Sequence, residues 1–385
     1  MSNEVIDLFE KTYGKKAEVL ARAPGRLEIL GNHTDYNEGI VLSCAVGQAT
    51  ELALAPVDGK TCSLVSSMNG VVVEFDLDNI DTAIKGDWTN YIKGVIVELR
   101  KRNIEVPAFV AAVHSTVPLS AGMSSSAALE VSAGFAFAEA FCIDLPKADW
   151  AKIGQGVENN YMGLGSGLLD QFSSIFGKEN SLIYCDFRTN EVIKNVDVPA
   201  GYELVVANSM VEHDLVESDY NVRRQSCMNV AEQIKAQFPE VKALRDVTPA
   251  MLEAAKDLFD FTDYLRAKHV VGECDRVEQA VVALEAKDVD AFGKLLYQSH
   301  KSSEDNFANS CPELDTLVEL STSISGCKGA RLSGGGFGGI SIHLVEEDKA
   351  EDYCTKIKAA YKLQTGKDIQ TIICKMGAGA TVEKL

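Results

Sequence analysis

Basic residues are scarce in this chain: 37 lysines and arginines stand against 56 aspartates and glutamates, leaving a formal net charge of −19 at pH 7. That imbalance excludes nucleic acid and anionic membrane surfaces as main partners. It also means that any phosphate must be held by a local device of backbone N–H groups, a metal ion and a few bases. Histidine is rarer still, with six in all. None forms an HxxxH pair, so a transition metal held by the protein is not expected. The ten cysteines include no CxxC pair, and Cys142 sits in an apolar stretch. Buried free thiols are expected, in place of disulfides or a zinc site. No apolar run approaches the roughly eighteen residues needed to span a bilayer. The opening MSNEVIDLFEKTYGKK mixes acids with bases and has no long apolar centre, so it does not read as a secretory signal. A cytoplasmic protein is expected. Two nucleotide fingerprints are missing as well. GxxxxGK(S/T) is absent, with no lysine after Gly122, and the glycine-rich RLSGGGFGG leads into a strand pattern, Ile340 to Val345, where a dinucleotide fingerprint needs a helix.

What is present suits a large soluble globular protein. The 385 residues, 46% apolar and 24% charged, can bury a sizeable core and suit two domains better than one. Residues 17–75 alternate apolar and polar with glycine punctuation, as strands and hairpins do. Helical periodicity follows at 88–101, with Tyr91, Val95 and Leu99 four apart, and again at 124–141, 147–160 and 168–176. Strands are expected at 106–113, 182–187 and 202–208. Residues 221–300 are mainly helical, with stretches at 221–238, 251–261 and 270–284. The end returns to strands at 330–333, 340–345 and 369–375. The fold class is α+β in two lobes, with the break near residues 188–199 and domains at 1–190 and 191–385. No internal repeat or disordered tract is visible.

Four segments carry chemistry. In Arg22 to Leu42, RAPGRLEILGNHTDYNEGIVL, a Pro-Gly break precedes a short apolar segment and then a dense polar turn. Arg26, His33, Asp35 and Asn37 are more than a plain turn needs, so the turn doubles as the wall of a polar pocket or is merely a surface turn. Val117 to Leu129, VPLSAGMSSSAAL, opens the helix at 124–141 with a glycine and three serines. Its free N–H groups and helix dipole would favour an anion, although serines also simply cap helices. Gly156 to Phe172, GVENNYMGLGSGLLDQF, sets Glu158 and Asp170 twelve positions apart across a glycine turn. Asp170 opens an apolar segment, where a buried acid either caps a helix or serves chemistry. Arg331 to Gly339 is a side-chain-free turn between strands, open to close backbone approach.

Together these segments resemble the galactokinase family of the GHMP small-molecule kinases. Gly31-Asn32-His33-Thr34-Asp35-Tyr36-Asn37 stands where the family has Gly-Glu-His-Thr-Asp-Tyr-Asn, and the glutamate that binds the sugar near its C6 hydroxyl is replaced by Asn32. The serine loop resembles the second family motif with Met123 for a leucine, and SGGGFGG resembles the third. Matches also fall at Trp88 to Val95, Glu217 to Gln225 and Ser310 to Asp315. The resemblance implies a GHMP kinase fold: an N-terminal mixed sheet with helices, of a type shared with a small-subunit ribosomal protein, a C-terminal ferredoxin-like α/β sandwich, and an active site in the cleft between. It implies ATP and Mg²⁺ as cofactors and a small sugar as substrate, with the protein acting as a monomer. Asp170 would be the base or electrostatic guide at the anomeric hydroxyl, with Arg26 against it stabilising charge. Asn32, His33, Asp35, Gly167 and Tyr220 would bind the sugar. Trp88, Ser120, Ala121, Gly122, Met123, Ser124, Ser125, Ser126, Ala127, Gly335 and Gly336 would bind the nucleotide, and Ser126 with Glu158 the magnesium.

Three functions follow. The first is phosphorylation of galactose. The second is the same reaction on a sugar altered at C6, such as galacturonate or arabinose, or on N-acetylgalactosamine, because an amide at position 32 could donate to a carboxylate. The third is a sugar-sensing regulator without turnover, disfavoured because Ser126-Ala127 is intact.

Overall fold

The computed structural model describes residues 3–118, 122–211 and 216–385. In chain order its strands are β1 (Val19–Leu30), β2 (Ile40–Pro56), β3 (Thr61–Ser66), β4 (Val72–Asp76), β5 (Phe109–Ser115), β6 (Ser181–Asp186), β7 (Glu191–Asp197), β8 (Tyr202–Asn208), β9 (Cys327–Ser333), β10 (Ile340–Glu346), β11 (Gln370–Cys374) and β12 (Thr381–Lys384). The helices are α1 (Asn3–Tyr13), α2 (Asn90–Arg100), α3 (Ser125–Ala140), α4 (Lys147–Gly156), α5 (Leu169–Phe176), α6 (Val216–Lys235), α7 (Pro249–Ala254), α8 (Phe261–Glu285), α9 (Val289–Ser302), α10 (Pro312–Ser321) and α11 (Ala350–Thr365).

Two sheets organise these elements. The first runs β12-β1-β2-β5-β3-β4, with β6 and β7 extending from the end of β2. It is antiparallel except where β3 meets β5. Helices α2 to α5 cover one face, burying Ile92, Ile96, Phe137, Trp150 and Phe172 against Val41, Leu52 and Phe109. Helix α1 covers the other through Val5 and Phe9. The second sheet, β11-β8-β10-β9, is wholly antiparallel. Helices α10 and α11 lie on one side of it, with Leu317, Tyr353, Ile357 and Tyr361 inward. Its other side faces the first lobe, where Val206, Ile340 and Ile342 share one core with Leu27, Ile29 and Leu42 and with Val277, Phe292 and Leu296 of α8 and α9. The lobes are thus joined by a continuous apolar seam, and the cleft sits at its edge.

Several expectations are corrected. The boundary at 190 cuts the β6–β7 hairpin, because Leu182 pairs with Val196 across it, and β12 returns to pair with Val19 to Arg22 of β1. Helices α1, α10 and α11 were not expected, although Val5 and Phe9, or Tyr353, Ile357 and Tyr361, recur at helical spacing. The expected helix at 251–261 stops at Ala254, and α8 begins earlier than expected, where Asp260 accepts from the Asp263 N–H as its N-cap. The helix at 147–160 is regular only to Gly156, then widens into a π-helical turn over Val157–Met162 that carries Glu158. All ten cysteines are free, but Cys142 is exposed, since it sits in a left-handed turn just beyond α3. Among the described residues, no helix is long and apolar enough to cross a membrane.

Candidate functional site

The site begins with irregularities in β1. Its register against β2 shifts between Pro24 and Arg26 and again between Glu28 and Leu30, and bulges of this kind re-aim side chains. Glycine is required at the first: a Cβ on Gly25 would lie 2.6 Å from the Met123 carbonyl. The Arg26 N–H donates to that carbonyl, which fastens the strand to the serine loop. Arg26 and Glu28, two positions apart on one face, then line the same cleft of about 340 Å³.

Arg26 grips Asp170 with two parallel bonds, Nε to Oδ1 at 2.7 Å and Nη2 to Oδ2 at 2.9 Å. Its Nη1 donates to the Gly122 carbonyl at 2.6 Å. Burial opposes the guanidinium's charge, but Asp170 beside it outweighs that and holds its pKa above the usual value. Paired forks of this type are the stronger kind of charge-assisted bond. Asp170 lies in the first turn of α5, where the helix dipole favours an acid. The Ser124 hydroxyl also donates to Asp170 Oδ2. Ser124 therefore does not cap α3 with its side chain and holds a left-handed backbone, φ 56°. The start of α3 is left with no side-chain cap.

On the other side of the cleft, the turn after β1 supplies Asn32, His33 and Asp35. His33 is also left-handed, φ 59°. One ring nitrogen lies 2.7 Å from the Tyr36 hydroxyl and the other 3.1 Å from the Gly335 carbonyl. Burial pushes its pKa down to about 3, so the ring is neutral. Tyr220 of α6 packs against it, ring centroids 5.0 Å apart. Asp35 has its carboxyl pushed up to about 7, first by burial and then by Glu28. Gly167 closes the wall tightly: a Cβ there would lie 1.5 Å from Asp35 Oδ2.

A second cavity of about 350 Å³ adjoins the start of α3, with Trp88, Tyr91, Ser125, Ser126 and Leu129 in its lining. At its margin Ser126 Oγ lies 3.3 Å from Glu158 Oε1. Burial and then Asp170 raise the Glu158 carboxyl, while Asp170 itself is paired with the Arg26 guanidinium. Gly122 is exposed with φ +64°, while Met123 and Ala127 are buried. Ser120 and Ala121 lie outside the described residues. Among the described residues, no group of three or more His, Cys, Asp or Glu side chains is set to hold a metal.

Gly335 and Gly336 depart from expectation. Gly335 lines the first cleft with Arg26 and His33, and Gly336 packs on Asn309, whose carbonyl would be 2.0 Å from an added Cβ. Neither reaches the Trp88 cavity, because the turn folds back over β1. Sequence reading also missed the braces behind the cleft. Glu273 of α8, wholly buried, accepts from the Gly31 and Asn32 N–H groups at 3.0 and 2.9 Å. Arg331 of β9, also wholly buried, donates to the Ile29 carbonyl at 3.0 Å and to Glu28 Oε1 at 3.1 Å. Asn309 Nδ2 reaches Asn32 Oδ1 at 2.9 Å. Glu28 was the one with a signal, an acid two residues after Arg26 in an apolar strand.

Residues 7–56 match the galactokinase galactose-binding signature, 90–178 the GHMP kinases N terminal domain, and 280–363 the GHMP kinases C terminal domain. The chain is 36% identical over 373 residues to a galactokinase of Chloroflexus aggregans, covering 97% of this chain and 95% of that one. It is 39% identical over 363 residues to a galactokinase of Actinobacillus pleuropneumoniae, covering 93% of each. The crystal structure of Lactococcus lactis galactokinase complexed with galactose superposes with a TM-score of 0.93 at 32% identity, over 98% of each chain. Methanococcus jannaschii mevalonate kinase shares the fold, with a TM-score of 0.63 at 18% identity over 94% of this chain and 99% of that one.

Proposed function

The chain belongs to the galactokinase family of the GHMP kinases and is a sugar kinase of that type, and from this premise we propose that it transfers the γ-phosphoryl group of ATP to the anomeric hydroxyl of galactose. The observation that carries the reading is the Arg26–Asp170–Ser124 cluster at the junction of two cavities. One cavity is polar and sugar-sized, and the other opens on the uncapped start of α3.

Asp170 accepts the proton of the anomeric hydroxyl, or orients it, as that oxygen attacks phosphorus. Arg26 keeps Asp170 in place by its two bonds and offsets negative charge growing on the transferring group. Phosphoryl transfer asks mainly for positioning and charge stabilisation, and neither residue can move without breaking the other's bonds. Asp35 and Tyr220 orient the sugar ring, and the neutral His33 ring, its two nitrogens held by the Tyr36 hydroxyl and the Gly335 carbonyl, packs beside them as a fixed wall. Trp88 packs on the base of the nucleotide, whose phosphates lie along Ser124 to Ser126.

Magnesium fits the residues present. Ser126 Oγ and Glu158 Oε1 are hard oxygen donors 3.3 Å apart, and the raised carboxyl of Glu158 marks a place short of positive charge. Two protein ligands are what Mg²⁺ commonly takes when phosphates and water complete its shell. Bound there, it would neutralise phosphate charge. A coupled ADP-release assay with ATP, Mg²⁺ and galactose, N-acetylgalactosamine, galacturonate or arabinose tests the reading. Galactose should be turned over best, and no turnover with any sugar would sink it.

A further inference from the structure

The residue at position 32 is not free to read a substrate. Asn32 is wholly buried, and its amide is spent on the protein. Nδ2 donates to Glu28 Oε1 at 2.8 Å and to the Gly334 carbonyl at 2.9 Å, while Oδ1 accepts from Asn309 Nδ2 at 2.9 Å. Both amide hydrogens are used. Glu28, the partner of that amide, lines the same cleft. Its Oε1 takes bonds from both Asn32 and Arg331, whereas its Oε2 has no hydrogen-bond partner among the described residues. The backbone of Glu28 is pinned too, with its N–H and carbonyl both bonded to the Ser333 hydroxyl at 3.0 Å.

Resting on the proposed sugar kinase activity, we propose that Glu28 is the specificity-determining acid of the sugar cleft, its free oxygen accepting from the substrate's C6 hydroxyl, with Asn32 as the brace that aims it. The carboxylate that family members carry at position 32 has in effect been moved to position 28, and the amide at 32 holds it. Two arguments support this. A fixed acceptor with an unused oxygen in a polar cleft favours a hydroxyl donor. A carboxylate also disfavours a second carboxylate, so a uronic acid is the wrong substrate. Burial leaves the Glu28 carboxyl above its ordinary value, while Arg331 and then Arg26 pull the other way.

The test compares galactose, 6-deoxygalactose and galacturonate on the wild-type enzyme and on Glu28→Gln. In the variant, the Gln oxygen can keep the bonds from Asn32 and Arg331, which turns its NH₂ toward the cleft and replaces an acceptor by a donor. Wild-type kcat/KM should fall about 30-fold or more from galactose to 6-deoxygalactose, in line with one hydrogen bond to a charged group. That ratio should shrink to within about 3-fold in Glu28→Gln, and relative use of galacturonate should rise by about 10-fold or more. A purely structural role would lower galactose and 6-deoxygalactose together and leave the ratio unchanged, which would overturn the proposal. If the variant does not fold, the wild-type ratio alone decides, and equal use of galactose and 6-deoxygalactose would also overturn it. Absence of turnover with every sugar refutes the kinase reading itself, and this inference with it. As a cross-check, Asn32→Glu should lose at least about 10-fold on galactose by setting two acids face to face. Adding Glu28→Gln should restore most of that loss.

Discussion

At the scale of single residues, Asp170 is held from three sides at once: by two nitrogens of Arg26 and by the Ser124 hydroxyl. An amide in its place keeps the shape but removes the charge and the proton acceptor. Asp170→Asn should therefore lower kcat by about 10³-fold or more, judged against general-base and electrostatic contributions in other enzymes. Nucleotide affinity, measured by titration calorimetry, should stay within about 3-fold, because the Trp88 cavity does not include residue 170. Near-normal turnover would remove Asp170 from the reaction. Asp35 supports a prediction of opposite sign. Its carboxyl is pushed up to about 7 by burial and then by Glu28, so the folded protein binds that proton more tightly than the unfolded chain. The resulting stability is fully present below about pH 4 and is lost as pH rises toward about 7. Asp35→Asn should thus stabilise the empty protein at pH 8, on the order of 2 kcal/mol after allowing for the open side of the cleft, and not at pH 4. Thermal melts at both pH values check this, and equal shifts would contradict it. Galactose affinity should weaken in the same variant.

At the scale of elements, the site is made where regular structure fails. Bulges flank Arg26 and Glu28 in β1, and π-helical turns carry Glu158 and lead into Asn309. Such local departures are commonly found at functional sites. The bulged strand is tied to β9 by one hydroxyl, since Ser333 Oγ accepts from the Glu28 N–H and donates to the Glu28 carbonyl. Ser333→Ala should leave both groups unpaired in a buried place, lowering stability by about 1–3 kcal/mol. It should lower kcat/KM for galactose more than for ATP, because the strand carries Arg26 and Glu28, which line the cleft proposed for the sugar. Urea denaturation with steady-state kinetics checks both, and an unchanged midpoint would show that water replaces the hydroxyl.

At the scale of the whole molecule, the two lobes share a core and a strand. β12 crosses from the end of the chain to cover the edge of β1, and Ala380 just before it is buried in the first lobe's core. Removing residues 380–385 would uncover an edge next to the site strand. The melting temperature should fall by several degrees at the least, on the order of 5 °C, with activity lost in step. A truncated protein melting at the wild-type temperature would show the strand to be dispensable. With a net charge of −19, the proposed phosphate site has to be built locally, from Arg26, the start of α3 and a bound metal ion.

Much was legible from the chain because local rules governed it. The β8 strand at 202–208, the helices α3 and α5, and the segments bearing Arg26, His33, Asp35, Glu158 and Asp170 all follow from periodicity, glycine placement and motif spacing, and the resemblance to a kinase family followed from those residues. What the chain alone misjudged was settled largely by pairing. β12 meets β1 across more than 300 residues, a partner no local pattern reports, and the 190 boundary falls inside the β6–β7 hairpin. Asn32 is the sharpest case. Its identity is written in the sequence, and it looked like a substrate-reading residue. Only the folded protein joins it to Glu28, Gly334 and Asn309, using every hydrogen of its amide and leaving the free carboxylate oxygen to Glu28. Sequence determined the reaction class, because the chemistry needs particular side chains on particular turns. Tertiary structure decided which of those side chains line the cleft with polar atoms to spare, because hydrogen-bond satisfaction is settled only when distant segments meet.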